Sequence, residues 1–288
     1  MPAMANAGVV SGQCVNCHTM HASTNGVGAA PNATLLRAGS TCEGCHATGG
    51  GNNTTTGVKA FATFSAPQVD DNSATGMLSG GYFVKNNTVD AKQHNPFSDL
   101  TGMNVDGNLG VTPPGGAALA GGTFGCANCH DASGGHHGGA GTVYRLLSGV
   151  TGTADGCYGV GFNRSANAYD SASLDTKCGS CHGLFHGASN QGAVNAWTRH
   201  PTDVSLTTMD VATQPYGYVA NYNANADTDL LPLGTAGAAT DMIMCVTCHV
   251  AHGSANDKLL SFDYTAVQAG DATNSGGCES CHDYGAGM

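Results

Sequence analysis

The chain has 288 residues and a formal net charge of −11, with nine Lys and Arg against 20 Asp and Glu. So few cations leave no basic surface of the kind that nucleic-acid binding requires. Glycine accounts for 44 residues and aromatic residues for only 6%, too few large apolar side chains for a conventional hydrophobic core of this size.

Six copies of the pattern Cys-x-x-Cys-His run along the chain and use twelve of its thirteen cysteines. In chain order, motif 1 is Cys14, Cys17 and His18; motif 2 is Cys42, Cys45 and His46; motif 3 is Cys126, Cys129 and His130; motif 4 is Cys178, Cys181 and His182; motif 5 is Cys245, Cys248 and His249; and motif 6 is Cys278, Cys281 and His282. The pattern is the attachment signature of c-type haem, in which two thiols bond to the haem and the His is the proximal iron ligand. Zinc sites and thioredoxin-like sites also use Cys-x-x-Cys but do not require the His. The sequence therefore predicts six covalently bound haem c groups.

The motifs are unevenly spaced, so the chain is not a periodic solenoid. Two-haem units lie near 14–46 and 245–282, and a haem-free loop region, rich in Gly, Asn, Thr and Pro, spans about 50–125. We predict one multihaem cytochrome domain over 1–288, mostly coil with short helices at the motifs. In this fold class the chain of haems serves as the core and regular secondary structure is sparse.

Seven histidines lie outside the motifs, and six irons need six distal ligands. The predicted distal ligands are His21, His94, His137, His186, His200 and His252, with His136 as the alternative to His137. His137 is preferred because Gly follows it, as Gly follows His186 and His252. Methionine is the other possible distal ligand and would raise the potential of a haem.

Three of these histidines follow a motif histidine by three or four residues: His21, His186 and His252. Residues at this spacing share one face of a helical turn, so such a histidine cannot easily reach the far side of the same porphyrin. We expect each to ligate a neighbouring haem, which would pack the haems closely. Irons closed by two histidines bind no substrate, so the pattern indicates an electron-transfer protein rather than an enzyme.

Haem c is attached outside the cytoplasm, so we expect an exported protein. Residues 1–7 lack a charged start and an apolar run, and we interpret residue 1 as a mature terminus whose signal peptide has been removed. No run of about 18 apolar residues predicts a transmembrane segment. Cys157 lies outside every motif; we favour a buried free thiol, with an intermolecular disulfide or interface packing as alternatives.

The order of the motifs and several flanking residues resemble those of the OmcS-like hexahaem c-type cytochromes, the family of extracellular cytochrome nanowires. The matching pieces are Cys14-Val-Asn-Cys17-His18-Thr-Met-His21, Gln93-His94-Asn95, Cys126-Ala-Asn-Cys129-His130-Asp131, Cys178-Gly-Ser-Cys181-His182 with His186, Arg199-His200-Pro201, Cys245-Val-Thr-Cys248-His249-Val-Ala-His252 and Cys278-Glu-Ser-Cys281-His282. The extra Cys157 and a longer Gly-rich loop around His136 and His137 depart from the family pattern.

The resemblance implies a head-to-tail homopolymer with its haems in a continuous line of alternating stacked and perpendicular pairs. It also implies that His21 ligates the iron held by His249 in a neighbouring subunit. The expected partners are other copies of the chain and extracellular electron acceptors or other cytochromes, and the expected location is extracellular or at the cell surface. A monomeric periplasmic or cell-surface shuttle is the alternative, and a multihaem oxyanion reductase is less favoured because it needs one open iron.

Overall fold

The computed structural model describes part of the chain, including most of the residues around motifs 2 to 6. The described residues are 18, 23–24, 27–28, 42–46, 52–53, 58–60, 65–67, 69, 80–84, 90–131, 136, 147–154, 167–186, 200, 202, 204–206, 234–236, 239–267 and 277–281. Within these ranges irregular backbone and turns dominate, so the expected fold class is confirmed.

The helices are short and most of them coincide with the motifs. Three α-helices are described: α1 (Glu43–His46), α2 (Ser171–Gly179) and α3 (Cys245–Cys248). Short 3-10 turns are formed by Asp90–Lys92, Ala120–Gly122, Cys126–Asn128, Gly183–Phe185, Asp257–Leu259, Tyr264–Ala266 and Gly277–Ser280. Of the described helices, none is long and apolar enough to cross a membrane. The prediction of single helical turns at the haem motifs is confirmed for motifs 2, 3, 5 and 6, whereas Cys178 of motif 4 lies at the end of the longer helix α2.

The strands are two to five residues long and pair locally in antiparallel fashion. They are β1 (Ser23–Thr24), β2 (Val27–Gly28), β3 (Asn52–Asn53), β4 (Val58–Ala60), β5 (Ser65–Pro67), β6 (Gly152–Ala154), β7 (Asn167–Tyr169), β8 (Val204–Ser205), β9 (Gly234–Ala236) and β10 (Ala239–Ile243). They form four small sheets, ordered β1-β2, β3-β4-β5, β6-β7 and β8-β10-β9. Strand β10 leads through Met244 directly into α3, so the longest described strand positions motif 5.

Two small clusters contain six of the buried apolar side chains among the described residues. Val150, Leu174 and Met244 form the first, which ties α2 to the residue before α3. Phe83, Leu100 and Met103 form the second. Two clusters of this size bury little apolar surface for a chain of this length, as the low aromatic content predicts.

Candidate haem-binding site

Four of the motif turns are closed by the same hydrogen bond, from the backbone N–H of the histidine to the carbonyl of the first cysteine. The N···O distances are 2.9 Å for His46, 2.8 Å for His130, 2.9 Å for His182 and 3.0 Å for His249. This is the four-residue bond of an α-helical turn. It places both cysteines and the histidine of a motif around one turn, as attachment and ligation of a single haem require.

The second cysteine of a motif is held by a tighter, three-residue bond in the same turn. The N–H of Cys45 donates to the carbonyl of Cys42 at 3.2 Å, and the corresponding distances are 3.1 Å for Cys129, 3.1 Å for Cys181 and 3.2 Å for Cys281. Bonds of this span are those of a 3-10 turn. Cys45 is half-buried and occupies the same place in its turn as the other three cysteines. The bond of its sulfur to haem stays a prediction.

Three pairs of histidines, each joining a motif histidine to one from a distant segment, face each other at nearly the same separation. The ring centroids are 6.2 Å apart for His46 and His136, 6.1 Å for His130 and His252, and 6.1 Å for His182 and His94. A metal–imidazole bond of about 2 Å, plus about 1 Å from nitrogen to ring centre, places two imidazoles on opposite sides of one iron about 6 Å apart. The spacing of all three pairs therefore fits a six-coordinate haem iron.

Backbone carbonyls fix the tautomer of several of these rings. The Nδ1 of His94 lies 2.5 Å from the carbonyl of Ala251, that of His182 2.8 Å from Pro114, and that of His249 2.8 Å from Lys258. Since a carbonyl only accepts, Nδ1 must carry the proton in each case, which leaves Nε2 as the ligating nitrogen.

Desolvation keeps these imidazoles neutral. It lowers the pKa of His252 to about 3, with nearby His130 as the next cause. Desolvation also lowers the pKa of His94. It lowers the pKa of His249 as well, although His249 keeps exposed surface. A neutral imidazole is the form that binds iron, so the electrostatics of the site agree with its geometry.

The cysteines of successive motifs meet directly at two places. The thiols of Cys42 and Cys126 hydrogen-bond to each other, and that bond together with burial raises the pKa of Cys126. The thiols of Cys178 and Cys245 form the equivalent contact, which with burial raises the pKa of Cys245. We call these the 2–3 junction and the 4–5 junction, after the motifs that they join.

Cysteines also lie close together between motifs 3 and 4 and between motifs 5 and 6. There, burial rather than a thiol–thiol hydrogen bond is the main cause of the pKa shifts. Burial raises the pKa of Cys129, and the nearby thiols of Cys181 and Cys178 raise it further. Motifs 3 and 4 therefore lie close together. Burial likewise raises the pKa of Cys248 to about 12, with Cys278 and Cys281 adding to it. Motifs 2 to 6 are therefore neighbours in space in the same order as in sequence, and two kinds of junction alternate.

Motifs 3 and 5 are built alike. Each pairs its histidine with a leucine through an antiparallel bridge, His130 with Leu147 and His249 with Leu260. In each, the serine after that leucine donates its N–H to the second cysteine carbonyl, at 2.8 Å from Ser148 and 2.9 Å from Ser261. The haem-binding turn and the leucine–serine segment that packs on it are thus repeated at motifs 3 and 5.

The backbone around His252 is packed tightly against two other segments. The N–H of His252 donates to Gly80 at 2.6 Å, and the N–H of His94 donates to His252 at 3.0 Å. Gly81 has φ +75°, and a Cβ there would lie 2.1 Å from the carbonyl oxygen of Gly253. Only glycine allows this approach, which holds His252 in place opposite His130.

The buried amide of Gln93 joins the same segments. Its Oε1 accepts from the N–H of Val84 at 2.8 Å, and its Nε2 donates to the Val84 carbonyl at 3.1 Å and to Asn95 Oδ1 at 2.9 Å. The Gln93 side chain therefore both accepts from and donates to the backbone of Val84, as a neighbouring strand would. This pairing fixes the residue before His94, and so helps to position that ring beside His182.

Several predicted site residues are not tested by these contacts. His18, His186 and His200 belong to the described part of the chain; His200 is exposed, and the His186 ring lies against Gly179. Cys14, Cys17, His21, His137, Cys157 and His282 lie outside the described residues.

Sequence reasoning gave second place to His136 and did not single out Asp99 or Asp175. Asp99 Oδ2 accepts from the N–H of Cys126 at 2.5 Å, and Asp175 Oδ1 accepts from the N–H of Cys245 at 2.8 Å. Each aspartate lies far along the chain from the cysteine that it contacts, so no local pattern signals its role.

Comparison with known proteins gives the same picture. The family profile described as "Doubled CXXCH motif" matches residues 237–287, which contain motifs 5 and 6; such paired motifs indicate covalently bound c-type haem. A search of curated protein sequences found no match.

Two solved structures share the fold of the chain. One, described as "Cryo-EM of the OmcS nanowires from Geobacter sulfurreducens", has a TM-score of 0.52 and 19% identity over 91% of this chain and 86% of that chain. The other, the Outer Membrane Cytochrome S filament from the same organism, has a TM-score of 0.51 and 21% identity over 90% and 85%. The expected resemblance is confirmed at the level of the fold.

Proposed function

We propose that this protein is a multihaem cytochrome that conducts electrons along six covalently bound haem c groups and that it is not an enzyme. The observation that carries the proposal is the set of three histidine pairs separated by 6.1–6.2 Å. Two histidines on one iron leave no position for a substrate. Irons of this kind exchange electrons and do little other chemistry.

The axial ligands follow from the pairs. His46 with His136, His130 with His252, and His182 with His94 hold the irons of motifs 2, 3 and 4. The irons of His18, His249 and His282 then take His21, His186 and His200 as their distal ligands. We assign His136 rather than His137 to motif 2, because the ring of His136 faces His46.

The spatial order of motifs 2 to 6 supports a single line of haems. Each successive pair of motifs brings cysteine sulfurs close together, and these sulfurs bond to the porphyrin edges. Neighbouring macrocycles are therefore near one another, and electrons can move from one to the next. The alternation of two junction types supports the alternation of stacked and perpendicular haems that the family resemblance implies.

We further propose that the chain polymerises head to tail into an extracellular filament. The two structures that share its fold are a nanowire and a filament, and a heterologous interface that does not close gives an open helical polymer. His249 is exposed in the isolated chain, which leaves room for a ligand from outside. We assign that role to His21 of the adjacent subunit.

Two measurements on protein matured with haem test this proposal. Intact mass gives the number of attached haems, for which we expect six per chain. Negative-stain imaging gives the assembly, for which we expect filaments of uniform width. Six haems on a discrete monomer at every concentration would favour the shuttle alternative, and fewer than six would reject the proposed complement.

A further inference from the structure

We propose that Asp99 and Asp175 are a matched pair of negative charges that lower the reduction potential of the haems at the 2–3 and 4–5 junctions. The inference rests on the proposed function, because it requires haems on the cysteines of motifs 2 to 5. The two aspartates would thus set the reduction potential of the haems at two fixed positions along the line of haems.

Asp99 lies where motifs 2 and 3 meet. Its carboxylate and the sulfurs of Cys42 and Cys126 lie within 4.8 Å of one another. The carboxylate also accepts the backbone N–H of Cys126. Both sulfurs belong to haem-attachment motifs, so with haem in place they are thioethers, and the carboxylate faces two porphyrin edges rather than a metal ion.

Gly125 makes room for this arrangement. A Cβ at position 125 would lie 2.3 Å from Asp99 Oδ2, far inside ordinary contact distance. With Asp99 in this position, a side chain at position 125 would fit only if the carboxylate moved away from the N–H of Cys126. This close approach indicates that Asp99 is built into the junction rather than placed beside it by chance.

Asp175 repeats the arrangement at the 4–5 junction. It lies on α2, one turn before Cys178, and is 0% exposed. Its Oδ1 accepts the N–H of Cys245 at 2.8 Å, as Asp99 accepts from Cys126. The pKa of Cys245 is raised first by its hydrogen bond to Cys178, then by burial, and also by the charge of Asp175, which places that carboxylate beside both sulfurs.

A negative charge next to a haem favours the ferric state, because reduction adds a further electron to the same region. The effect is strong where water is excluded, since a low effective dielectric constant screens charge poorly. Buried charge is one of the means by which a protein sets haem potential. Both aspartates should therefore shift their neighbouring haems to lower potential.

The other charges near these junctions are few among the described residues. Burial raises the pKa of Cys129, and a hydrogen bond to Cys245 lowers the pKa of Cys178. The charge of Lys177, which lies near both thiols, opposes the first shift and adds to the second. Glu43 of α1 accepts from the N–H and hydroxyl of Thr101 at 3.0 and 2.7 Å and adds negative charge near motif 2. Buried Glu279 lies near Cys278 and adds negative charge at motif 6.

The test uses full-length protein carrying its haems and the variants Asp99→Asn, Asp175→Asn and the double variant. Asparagine keeps an oxygen that can accept the cysteine N–H and removes only the charge. Asp263→Asn is the matched control, because Asp263 is an exposed aspartate whose Oδ1 likewise accepts a backbone N–H, from Thr265. Intact mass and the low-spin spectrum are recorded first for every protein, and a spectroelectrochemical titration follows.

We expect each single variant to shift about a third of the titration, two haems of six, to higher potential. The expected ferric-to-ferrous ratio at a fixed potential changes about tenfold, which equals 59 mV for a one-electron couple. The double variant should shift about two thirds, and Asp263→Asn should match the wild type.

The inference would be overturned if Asp99→Asn and Asp175→Asn, both fully loaded and low-spin, gave the same titration curve as the wild type. The proposed function would then still stand. An equal shift from Asp263→Asn would also overturn the inference. A wild-type chain without haem at motifs 2 to 5 would overturn both. If one variant fails to load its haems, the other position carries the same test, because the two junctions use separate carboxylates.

Discussion

His130 and His252 face each other with ring centroids 6.1 Å apart and ring planes inclined by 52°. His252 comes three residues after His249 of motif 5, yet it lies beside the histidine of motif 3. Under the proposed ligation, a histidine that follows one motif closes the iron of another, so the ligation of one haem depends on the backbone of a second motif. This relationship ties motifs 3 and 5 into one structure.

Replacing His252 should open the iron of motif 3. We expect His252→Ala to convert one of six low-spin haems to the high-spin form, because the ring that packs beside His252, 4.7 Å away between centroids, is the apolar ring of Phe83 and cannot bind iron. Electron paramagnetic resonance and the visible spectrum measure this change. In His252→Met, methionine should restore six-coordination and raise the potential of that haem; a fully low-spin His252→Ala protein would reject the assignment.

The neighbouring residues His136 and His137 provide a matched pair of variants. His136→Ala should produce one high-spin haem, because the His136 ring lies 6.2 Å from that of His46. His137→Ala should keep all haems low-spin. The reverse result would restore the sequence-based preference for His137.

Gly81 should be intolerant of any side chain. In Gly81→Ala the new Cβ would meet the carbonyl oxygen of Gly253 at 2.1 Å at a positive φ, and we expect a loss of at least about 2 kcal/mol in the free energy of unfolding. Gly110→Ala is the control, since Gly110 also has positive φ but no atom lies within 4 Å; it should cost about 1 kcal/mol. Denaturant titration of both variants measures the difference, and equal losses would show that contact with Gly253 is unimportant.

Lys258 adopts a left-handed backbone at φ 63°, which presents its carbonyl to Nδ1 of His249. For a residue other than glycine this conformation costs about 1 kcal/mol. Lys258→Gly should therefore stabilise the protein by about that amount, whereas Lys258→Ala, which keeps the Cβ, should not. Thermal unfolding of the two variants measures the difference. Equal stability of the two variants would show that the left-handed backbone at position 258 does not favour glycine.

Without haem the chain should not fold cooperatively. The described apolar clusters hold only three buried side chains each, and a group that binds only the folded state adds to the stability of that state. Protein made without the haem-attachment machinery should lose its structure gradually in denaturant, as followed by circular dichroism. A sharp, two-state transition of the haem-free chain would contradict this view of the core.

Local features of the structure could be predicted from the sequence, and features that depend on distant segments could not. The helical turn of a motif needs only its own residues, and the scarcity of large apolar side chains alone indicates an irregular chain. The expectation that His252 shares a helical turn with His249 is wrong, because α3 ends at Cys248 and His249 has an extended backbone (φ −106°, ψ 147°). That His252 meets His130 rather than another motif histidine depends on the approach of Gly81 to Gly253, which no local pattern reveals.

The aspartates illustrate the same limit. Asp99 and Asp175 resemble any other acidic residue in the sequence, and their carboxylates gain a role only when two motifs come together around them. His136 and His137 likewise share one local environment in the sequence. The fold decides between them through the position of His46, contributed by a different turn.

We propose that two histidines close each of the six irons, and quantitative electron paramagnetic resonance of the ferric, haem-loaded wild-type filament measures whether they do. We expect the whole signal to be low-spin, with an integrated intensity that matches the haem content found by mass. A high-spin component amounting to one haem per chain would contradict it, since that haem would have an open position for a substrate.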